Sequence, residues 1–242
     1  MSLWASGHGR RAGVAILIHP YGAVKQLRSW RVQHWTDHLI MATREIQGTE
    51  YVFINIYAPS NGAARLQFFQ KLQQVDLPQG HTIVCGGDFN CVLQPEMDRR
   101  GNSVQADVGA KALSNWLQRH ALVDAGRYNF PANPNELTVM HYAQTHHTHR
   151  HKSAEGIWGT SRLDRWYIDA GKWSQVRGVV TDEDLCDSDH RGVLLELHYP
   201  AGCLRVKKRE IVYPPPFFRG SSHEGHGSDQ ANGVSDAVKK HE

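Results

Sequence analysis

The sequence predicts a single α/β domain. Its 242 residues suit one ordinary domain better than two small ones, and 40% apolar residues can build a sizeable core. Short apolar runs rich in branched residues, at 13–19 and 81–85, predict strands that are buried on both faces. Between them, the spacing of Leu66, Phe69 and Leu72 predicts a helix over 65–75.

One hairpin and a second helix are predicted in the first half of the chain. The run 51–57 follows an extended region, 31–46, across a turn at 47–50, which indicates a β-hairpin. Asp107 is a candidate cap for a helix over 108–120. The apolar face of that helix would consist of Leu113, Trp116, Leu117 and Leu122.

The second half of the chain is predicted to be rich in strands. Residues 163–168 alternate between apolar and polar, and apolar runs at 176–180 and 192–198 predict two more strands. Residues 137–140 predict a weak strand in a segment of little periodicity. These elements place the domain at residues 12–200.

Both ends of the chain are expected to lie outside this domain. Residues 1–11 show no strand pattern and are expected to be irregular. Residues 201–242 combine a basic run at 205–209, three prolines and a polar remainder, which predicts a disordered tail. The basic run is most simply a solvated surface, with a nucleic-acid contact or a nuclear import signal as alternatives.

Composition argues against several classes of protein. No run of about 18 apolar residues occurs, so no membrane partner is expected. The start lacks the apolar stretch of a signal peptide, and the chain is therefore expected to be intracellular. The four cysteines lack C-x-x-C spacing, which disfavours a disulfide framework or a zinc knuckle. The net charge of +3 is compatible with a phosphate-bearing partner, while nothing indicates a specific protein partner.

Three short segments place acids, amides and an imidazole next to predicted strands. They are Gly86-Gly-Asp-Phe-Asn90, Ser161-Arg-Leu-Asp-Arg165 and Ser188-Asp-His190. The two glycines allow a sharp turn, so that Asp88 and Asn90 can point into one cleft. Taken singly, the first segment is as well explained as a capped turn, and an Asp-His pair is more often exposed. Taken together, the segments predict one catalytic pocket.

Hydrolysis of a phosphodiester needs these groups. A carboxylate orients or deprotonates water, a charged imidazole stabilises the developing negative charge, and a divalent ion spans the phosphate oxygens. Oxygen ligands without cysteine favour Mg²⁺ or Mn²⁺ over zinc. The sequence therefore predicts metal-dependent hydrolysis.

Five histidines crowd the segment 141–151. Imidazoles at such spacing can converge on a metal, but no cysteine or carboxylate pattern accompanies them. A solvated loop is the favoured interpretation. Trp158 is interpreted as a core or rim residue, with a position beside a DNA groove as the alternative.

Four motifs together resemble the endonuclease/exonuclease/phosphatase superfamily, which includes DNase I and the endonuclease domains of LINE-type retrotransposons. They are Tyr57-Ala-Pro, Gly87-Asp-Phe-Asn90, Ser161-Arg-Leu-Asp164 and Ser188-Asp-His190. The retrotransposon branch is the most similar, because Pro95-Glu-Met-Asp-Arg99 and Ala121-Leu-Val-Asp-Ala125 also match it. The resemblance covers 13–199 and implies a DNase I-like four-layer α/β sandwich: two packed, mainly antiparallel sheets flanked by helices.

The resemblance also implies catalytic roles. Asp88 would position or deprotonate the attacking water, and Asn90 would hydrogen-bond the scissile phosphate. His190 would contact that phosphate, while Asp164 orients its imidazole. Asp189 would help to place the metal or the water, so Asp88 and Asp189 are the expected metal ligands.

Four further residues are expected around the substrate. Tyr57 would lie beside the phosphate, and Arg162 would contact the nucleic-acid backbone. Ser161 would support the loop. Asn61 is a candidate substrate ligand, one position later than the asparagine usual in the family.

The resemblance further implies that the first motifs of the family are missing. Family members begin with a strand that bears an asparagine and a strand that bears a glutamate, the principal metal ligand. Nothing before residue 13 is predicted as a strand, and no glutamate precedes Glu45. Mg²⁺ or Mn²⁺ is therefore expected to be held weakly, and hydrolysis of duplex DNA to be impaired. A non-catalytic nucleic-acid-binding remnant and a phosphatase for small phosphoesters are the alternatives.

Overall fold

The computed structural model describes residues 2–7, 13–22, 24, 26–101, 105–152, 156–183 and 188–198. The expected tail, 201–242, lies outside the described residues, as do 1 and 8–11 of the expected irregular start. Within the described segments, no helix is long and apolar enough to cross a membrane.

The described strands and helices are numbered here in chain order. The strands are β1 (Ser2–Ser6), β2 (Gly13–Leu17), β3 (Arg28–Ser29), β4 (Leu39–Ile46), β5 (Thr49–Tyr57), β6 (Thr82–Asp88), β7 (Arg99–Arg100), β8 (Leu122–Asp124), β9 (His149–Lys152), β10 (Trp158–Ser161), β11 (Asp164–Asp169), β12 (Val176–Asp182) and β13 (Gly192–Leu197). The α-helices are α1 (Gly62–Leu72), α2 (Pro95–Asp98), α3 (Ala110–Arg119) and α4 (Glu136–His146).

A six-stranded sheet, in the order β3-β4-β5-β6-β11-β8, forms the centre of the fold. The predicted hairpin is confirmed, since β4 and β5 pair antiparallel around Gln47 and Gly48. Both residues have positive φ, 53° and 76°, as a tight two-residue hairpin turn requires. Helix α1 then connects β5 to β6, which run parallel, and β11 returns antiparallel beside β6.

One face of the central sheet packs against α1 and α3. Phe69 of α1 and Leu113 and Trp116 of α3 are fully buried in one cluster with Ile54 and Cys85 of the sheet. Full burial of such side chains contributes about 1.5–3 kcal/mol each. Both predicted helices are thus confirmed. Leu122, which was expected on the apolar face of the second helix, lies in β8 instead.

The opposite face is covered by two separate two-stranded ribbons. Residues Ala5 and Val14 of the β1–β2 ribbon pack on Ile40, whereas the β12–β13 ribbon packs on Ile168. An open groove of about 410 Å³ lies between the ribbons and reaches His190. The predicted α/β fold with packed sheets is confirmed. In the described residues, the second layer consists of two separate ribbons and not of one continuous sheet.

The expectation of an irregular start is wrong for residues 2–6. This segment forms β1, which pairs with β2 from Ser2↔Leu17 to Ser6↔Gly13. Hydrogen bonding to a neighbouring strand, and not an apolar pattern of its own, makes this short segment a strand.

Two other predictions are corrected between residues 107 and 146. Asp107 does not cap α3, which begins after Gly109; its carboxylate accepts a hydrogen bond from the Val92 amide at 2.6 Å and pairs with Arg99 at 2.8 Å. The expected weak strand at 137–140 lies within α4. That helix is capped by Asn135, whose side-chain oxygen accepts from the Thr138 amide at 2.8 Å.

Candidate active site

Three of the expected site residues form a row across the central sheet. Tyr57 lies opposite Asp88 in the β5–β6 pairing, and Asp88 lies opposite Asp164 in the β6–β11 pairing. Strands β5 and β6 end at this edge of the sheet and β11 begins there. The positions of these residues in sequence, at the ends of paired strands, therefore bring them together.

The two glycines before Asp88 are required by close neighbours. Gly87 has a φ of 132°, and a Cβ there would lie 2.0 Å from the carbonyl oxygen of Ile56. A Cβ at Gly86 would lie 2.4 Å from the ring of Trp166. Only glycine lets β6 pass between its neighbours and still present Asp88 at the edge of the sheet.

The carboxylate of Asp88 is held by Asn90. The backbone amide of Asn90 donates to Oδ1 of Asp88, and its side-chain amide donates to Oδ2, both at 2.8 Å. The same side-chain amide also donates to the carbonyl of Ala58 at 2.9 Å. Asn90 adopts a φ of 45°, a left-handed conformation that asparagine tolerates better than most residues. The segment 86–90 thus forms the expected turn, and the same turn holds the expected site residue Asp88.

His190 is paired with Asp164. Its Nδ1 lies 2.7 Å from Oδ2 of Asp164, and both side chains are partly buried. The backbone fixes this arrangement, because the amide of Arg191 donates to the carbonyl of Thr148 at 2.7 Å, and His190 forms a β-bridge with His149. The Thr148 hydroxyl accepts from the Asp164 amide at 3.0 Å.

The electrostatics of this cluster favour opposite charges on Asp88 and His190 near neutral pH. Burial, together with the nearby Asp164 carboxylate, raises the pKa of Asp88 to about 6. The hydrogen bond that His190 donates to the Asp164 carboxylate raises the pKa of His190. Asp88 therefore loses its proton just below neutrality, while His190 retains its proton to higher pH than an exposed histidine.

The cluster also fits a hard divalent cation. Ligand atoms of Asp88, Asp164 and His190 lie within 4.8 Å of one another. Two carboxylates that repel each other at this distance are the oxygen donors that Mg²⁺ and Mn²⁺ prefer. In this grouping Asp164, and not the expected Asp189, is the partner of Asp88.

Asp189 lies on the solvent side of His190. Its side chain is 72% exposed, and one carboxylate oxygen is 3.5 Å from Nε2 of His149. Slight burial raises the pKa of Asp189, but the nearby His190 and the hydrogen bond from the Ser188 hydroxyl lower it by more, so the net shift is downward. Asp189 therefore stays ionised, in a second group with His149 and His190.

Arg162 does not lie at a nucleic-acid surface, and this expectation is corrected. Its side chain is only 3% exposed. Its guanidinium donates to the carboxylates of Asp124 and Asp98, the former at 2.8 Å from Nη1 and the latter at 3.3 Å. A side chain so enclosed joins the ends of α2 and β8 and cannot reach a DNA backbone.

The remaining expected residues occupy different environments. Tyr57 is 45% exposed and can meet a ligand. Ser161 is buried at the end of β10, where its carbonyl accepts from the Thr148 amide, consistent with the expected support of the loop. Asn61 caps α1, its side-chain oxygen accepting from the Ala64 amide at 3.1 Å.

The histidine-rich segment is not the expected solvated loop. It comprises the end of α4 and the start of β9. His147 is 3% exposed, with its ring nitrogens bonded to the Thr160 hydroxyl and the Met97 carbonyl. His149 lies against His190, with 4.7 Å between ring centroids. Sequence reasoning missed His149 because its neighbours are far away along the chain.

A comparison with curated proteins identifies a transposon protein of similar sequence. A Xenopus laevis protein, the transposon TX1 uncharacterized 149 kDa protein, is 28% identical over 154 residues, which are 62% of this chain and 10% of that protein. The match thus spans about a tenth of the length of that relative.

Solved structures show the same fold. The endonuclease domain of TRAS1, a telomere-specific non-LTR retrotransposon, matches with a TM-score of 0.55 and 15% identity, over 83% of this chain and 81% of that domain. An AP endonuclease from Archaeoglobus fulgidus matches with a TM-score of 0.51 and 18% identity, over 67% of this chain and 66% of that one. At these identities the likeness concerns the fold alone.

The family itself follows from the sequence match. The model of the endonuclease/exonuclease/phosphatase family matches residues 3–190, which include every residue of the cluster at the sheet edge. The chain therefore belongs to the endonuclease/exonuclease/phosphatase family.

Proposed function

We propose that this chain hydrolyses phosphodiester bonds in duplex DNA with the help of Mg²⁺ or Mn²⁺. The observation that carries the proposal is the Asp164–His190 pair, 2.7 Å apart, placed beside the oriented carboxylate of Asp88. The names of two proteins with the same fold, a retrotransposon endonuclease domain and an AP endonuclease, support DNA as the substrate class.

The chemistry follows from the protonation of the three side chains. Asp88, ionised above its pKa of about 6, orients water and takes its proton as the water oxygen bonds to phosphorus. His190, kept protonated by Asp164, donates through Nε2 to a phosphate oxygen and stabilises the charge that develops there. The bond from phosphorus to the leaving oxygen then breaks, and that oxygen takes a proton from solvent. A divalent ion at Asp88 and Asp164 would supply further charge neutralisation.

The rim of the site offers aromatic and cationic groups to a nucleic acid. Trp158 of β10 is 67% exposed and lies opposite Lys152 of β9. The Lys152 ammonium is 5.7 Å from the centroid of the Trp158 ring. Strand β9 begins with His149, which touches His190, and the Trp158–Lys152 pair lies three residues further along the β9–β10 pairing. Stacking on an aromatic ring and attraction to phosphate are the usual contributions of such a pair.

We further propose that these 242 residues have low turnover by themselves. No glutamate precedes Glu45, so the glutamate ligand that the family resemblance implies has no counterpart in the first 44 positions. Loss of one group that stabilises the transition state commonly costs about a hundredfold or more in rate.

Nicking of supercoiled plasmid in Mg²⁺ or Mn²⁺ tests both proposals. Asp88→Asn and His190→Ala should each reduce nicking about a hundredfold or to background. The exposed residues Asp76 and His141 provide the matched controls, Asp76→Asn and His141→Ala, which should nick as the unaltered chain does.

The alternatives give different results in the same assay. Nicking that survives in Asp88→Asn and His190→Ala would overturn the site. Binding to duplex DNA in EDTA, together with no nicking in Mg²⁺ or Mn²⁺, would indicate a binding module. Phosphate release from a small monoester, together with no nicking, would indicate a phosphatase. Rapid nicking by the unaltered chain would overturn only the proposal of low turnover.

A further inference from the structure

A second group of potential metal ligands adjoins the active-site cluster. Ligand atoms of His149, Asp189 and His190 lie within 4.8 Å of one another. This group faces solvent, because the Asp189 side chain is 72% exposed and His149 is only partly buried. It differs from the Asp88–Asp164 cluster in chemistry, with two imidazoles and one carboxylate in place of two carboxylates and one imidazole.

The backbone holds the three side chains in place. His149 and His190 form a β-bridge, and the bonds on either side of it join Arg191 to Thr148 at 2.7 Å and Arg150 to Asp189 at 3.4 Å. The two imidazole rings lie 4.7 Å apart with an angle of 44° between them. A preformed pair of imidazoles needs little reorganisation to bind an ion.

His190 is hydrogen-bonded to a carboxylate, as metal-binding histidines often are. Nδ1 of His190 donates to Oδ2 of Asp164 at 2.7 Å, so Nε2 is the ring nitrogen with which His190 can ligate. Carboxylate–histidine–metal arrangements of this kind fix the tautomer of the ligand and increase its basicity. Asp164 can thus support metal binding at His190 as well as the catalytic role proposed above.

We propose that His149, Asp189 and His190 form a binding site for a transition-metal ion of borderline hardness, such as Zn²⁺. Imidazole and carboxylate ligands suit Zn²⁺, whereas Mg²⁺ prefers oxygen ligands. Three protein ligands leave further positions of the ion to water, as the exposure of Asp189 permits. Binding displaces the proton from Nε2 of His190.

Such an ion would inhibit the hydrolysis proposed above. It would occupy Nε2 of His190, the atom that donates to the phosphate. This consequence depends on the proposed function, whereas the binding site does not. The two ideas are therefore tested separately, the site by direct measurement of binding without DNA.

Binding of Co²⁺, the visible-absorbing substitute for Zn²⁺, tests the site in the full chain after treatment with EDTA and removal of the chelator. The unaltered chain should develop a visible Co²⁺ absorption that Zn²⁺ abolishes. His149→Gln and Asp189→Asn should each weaken this binding at least about tenfold, and Asp164→Asn by about 10–100-fold.

His151 provides the matched control. It stacks on His149, with 5.6 Å between ring centroids, but lies outside the ligand group. His151→Gln should therefore keep the affinity of the unaltered chain for Co²⁺. Because the chain has 16 histidines, the decisive reading is the difference between variants. Equal Co²⁺ affinity in His149→Gln and the unaltered chain, both shown by circular dichroism to be folded, would overturn the proposal.

Discussion

Two neighbouring groups of charged side chains in this protein behave in opposite ways. In the first, Asp88 and Asp164 share a single partly buried histidine, and the pKa of Asp88 rises to about 6. In the second, Arg162 and Arg127 contact Asp98. Although burial opposes ionisation there, the two guanidinium groups lower the pKa of Asp98.

The balance of charge explains this difference. Arg162 pairs with Asp124 and Asp98, and although burial opposes its charge these carboxylates raise its pKa, so Arg162 and Asp98 stay ionised and serve as structure. The first group has an excess of negative charge, so it can bind and release a proton or a metal cation. Perturbed carboxylates of this kind mark catalytic sites.

Removal of an arginine from the balanced group should have the largest effect. Arg162→Met leaves Asp98 and Asp124 without their shared partner, and we expect the free energy of unfolding to fall by about 3–5 kcal/mol. Urea denaturation at pH 7 measures it. Arg150→Met is the control, because Arg150 is 60% exposed, and it should change stability by less than about 0.5 kcal/mol. A small effect of Arg162→Met would mean that the buried group is not held together as described.

The unbalanced group should instead control the pH dependence of nicking. In the proposed hydrolysis Asp88 acts as its anion, so the rate should fall about tenfold per pH unit at low pH. The fall should begin near pH 6 at low metal concentration and move to lower pH as the metal concentration rises, because a divalent ion at Asp88 favours the carboxylate. Single-turnover nicking from about pH 5 to pH 7 measures this limb. Tryptophan fluorescence in parallel should stay constant, because the lowered pKa of Asp98 keeps the balanced group ionised throughout. A flat profile would contradict the role of Asp88 as base.

The smallest expected effect is a pH-dependent change in stability from Asp88→Asn. The pKa of Asp88 is about 6 in the folded chain and 3.8 in the unfolded reference, so its full contribution to stability exists only below about pH 4 and is lost as pH rises through 6. Asparagine is neutral throughout, but it accepts only one of the two hydrogen bonds from Asn90, so the lost bond should cost the same at every pH. Relative to the unaltered chain, Asp88→Asn should therefore be about 1 kcal/mol more favourable at pH 7 than near pH 4. Urea denaturation without metal at both pH values measures this difference. A stability difference that is the same at pH 4 and pH 7 would contradict the charge excess.

The sequence could predict the parts of the site that lie at strand ends. Asp88 follows an apolar run and Asp164 starts an alternating one, and strand pairing brings these two strand ends together. Tyr57 was assigned to the site only by the family resemblance, and the β5–β6 pairing places it beside Asp88. The turn at Asn90 was also predictable, since two glycines and an asparagine mark it. Local pattern and tertiary structure agree at these positions.

The environment of Arg162 and His149 could not be predicted in this way. The family resemblance implied that Arg162 contacts the nucleic-acid backbone, and only the fold shows that Asp98 and Asp124 enclose it. His149 becomes part of a site through a β-bridge to His190. In both cases the decisive partner is distant in sequence and leaves no local signal.

The divided second layer has a consequence for inactivation by heat. Two-stranded ribbons are marginally stable alone, and β12–β13 depends on its packing against the central sheet. His190 lies two residues before this ribbon, whereas Asp88 and Asp164 belong to the central sheet itself. Warming that detaches the ribbon would separate the imidazole from both carboxylates. Loss of catalysis would then precede melting of the main core.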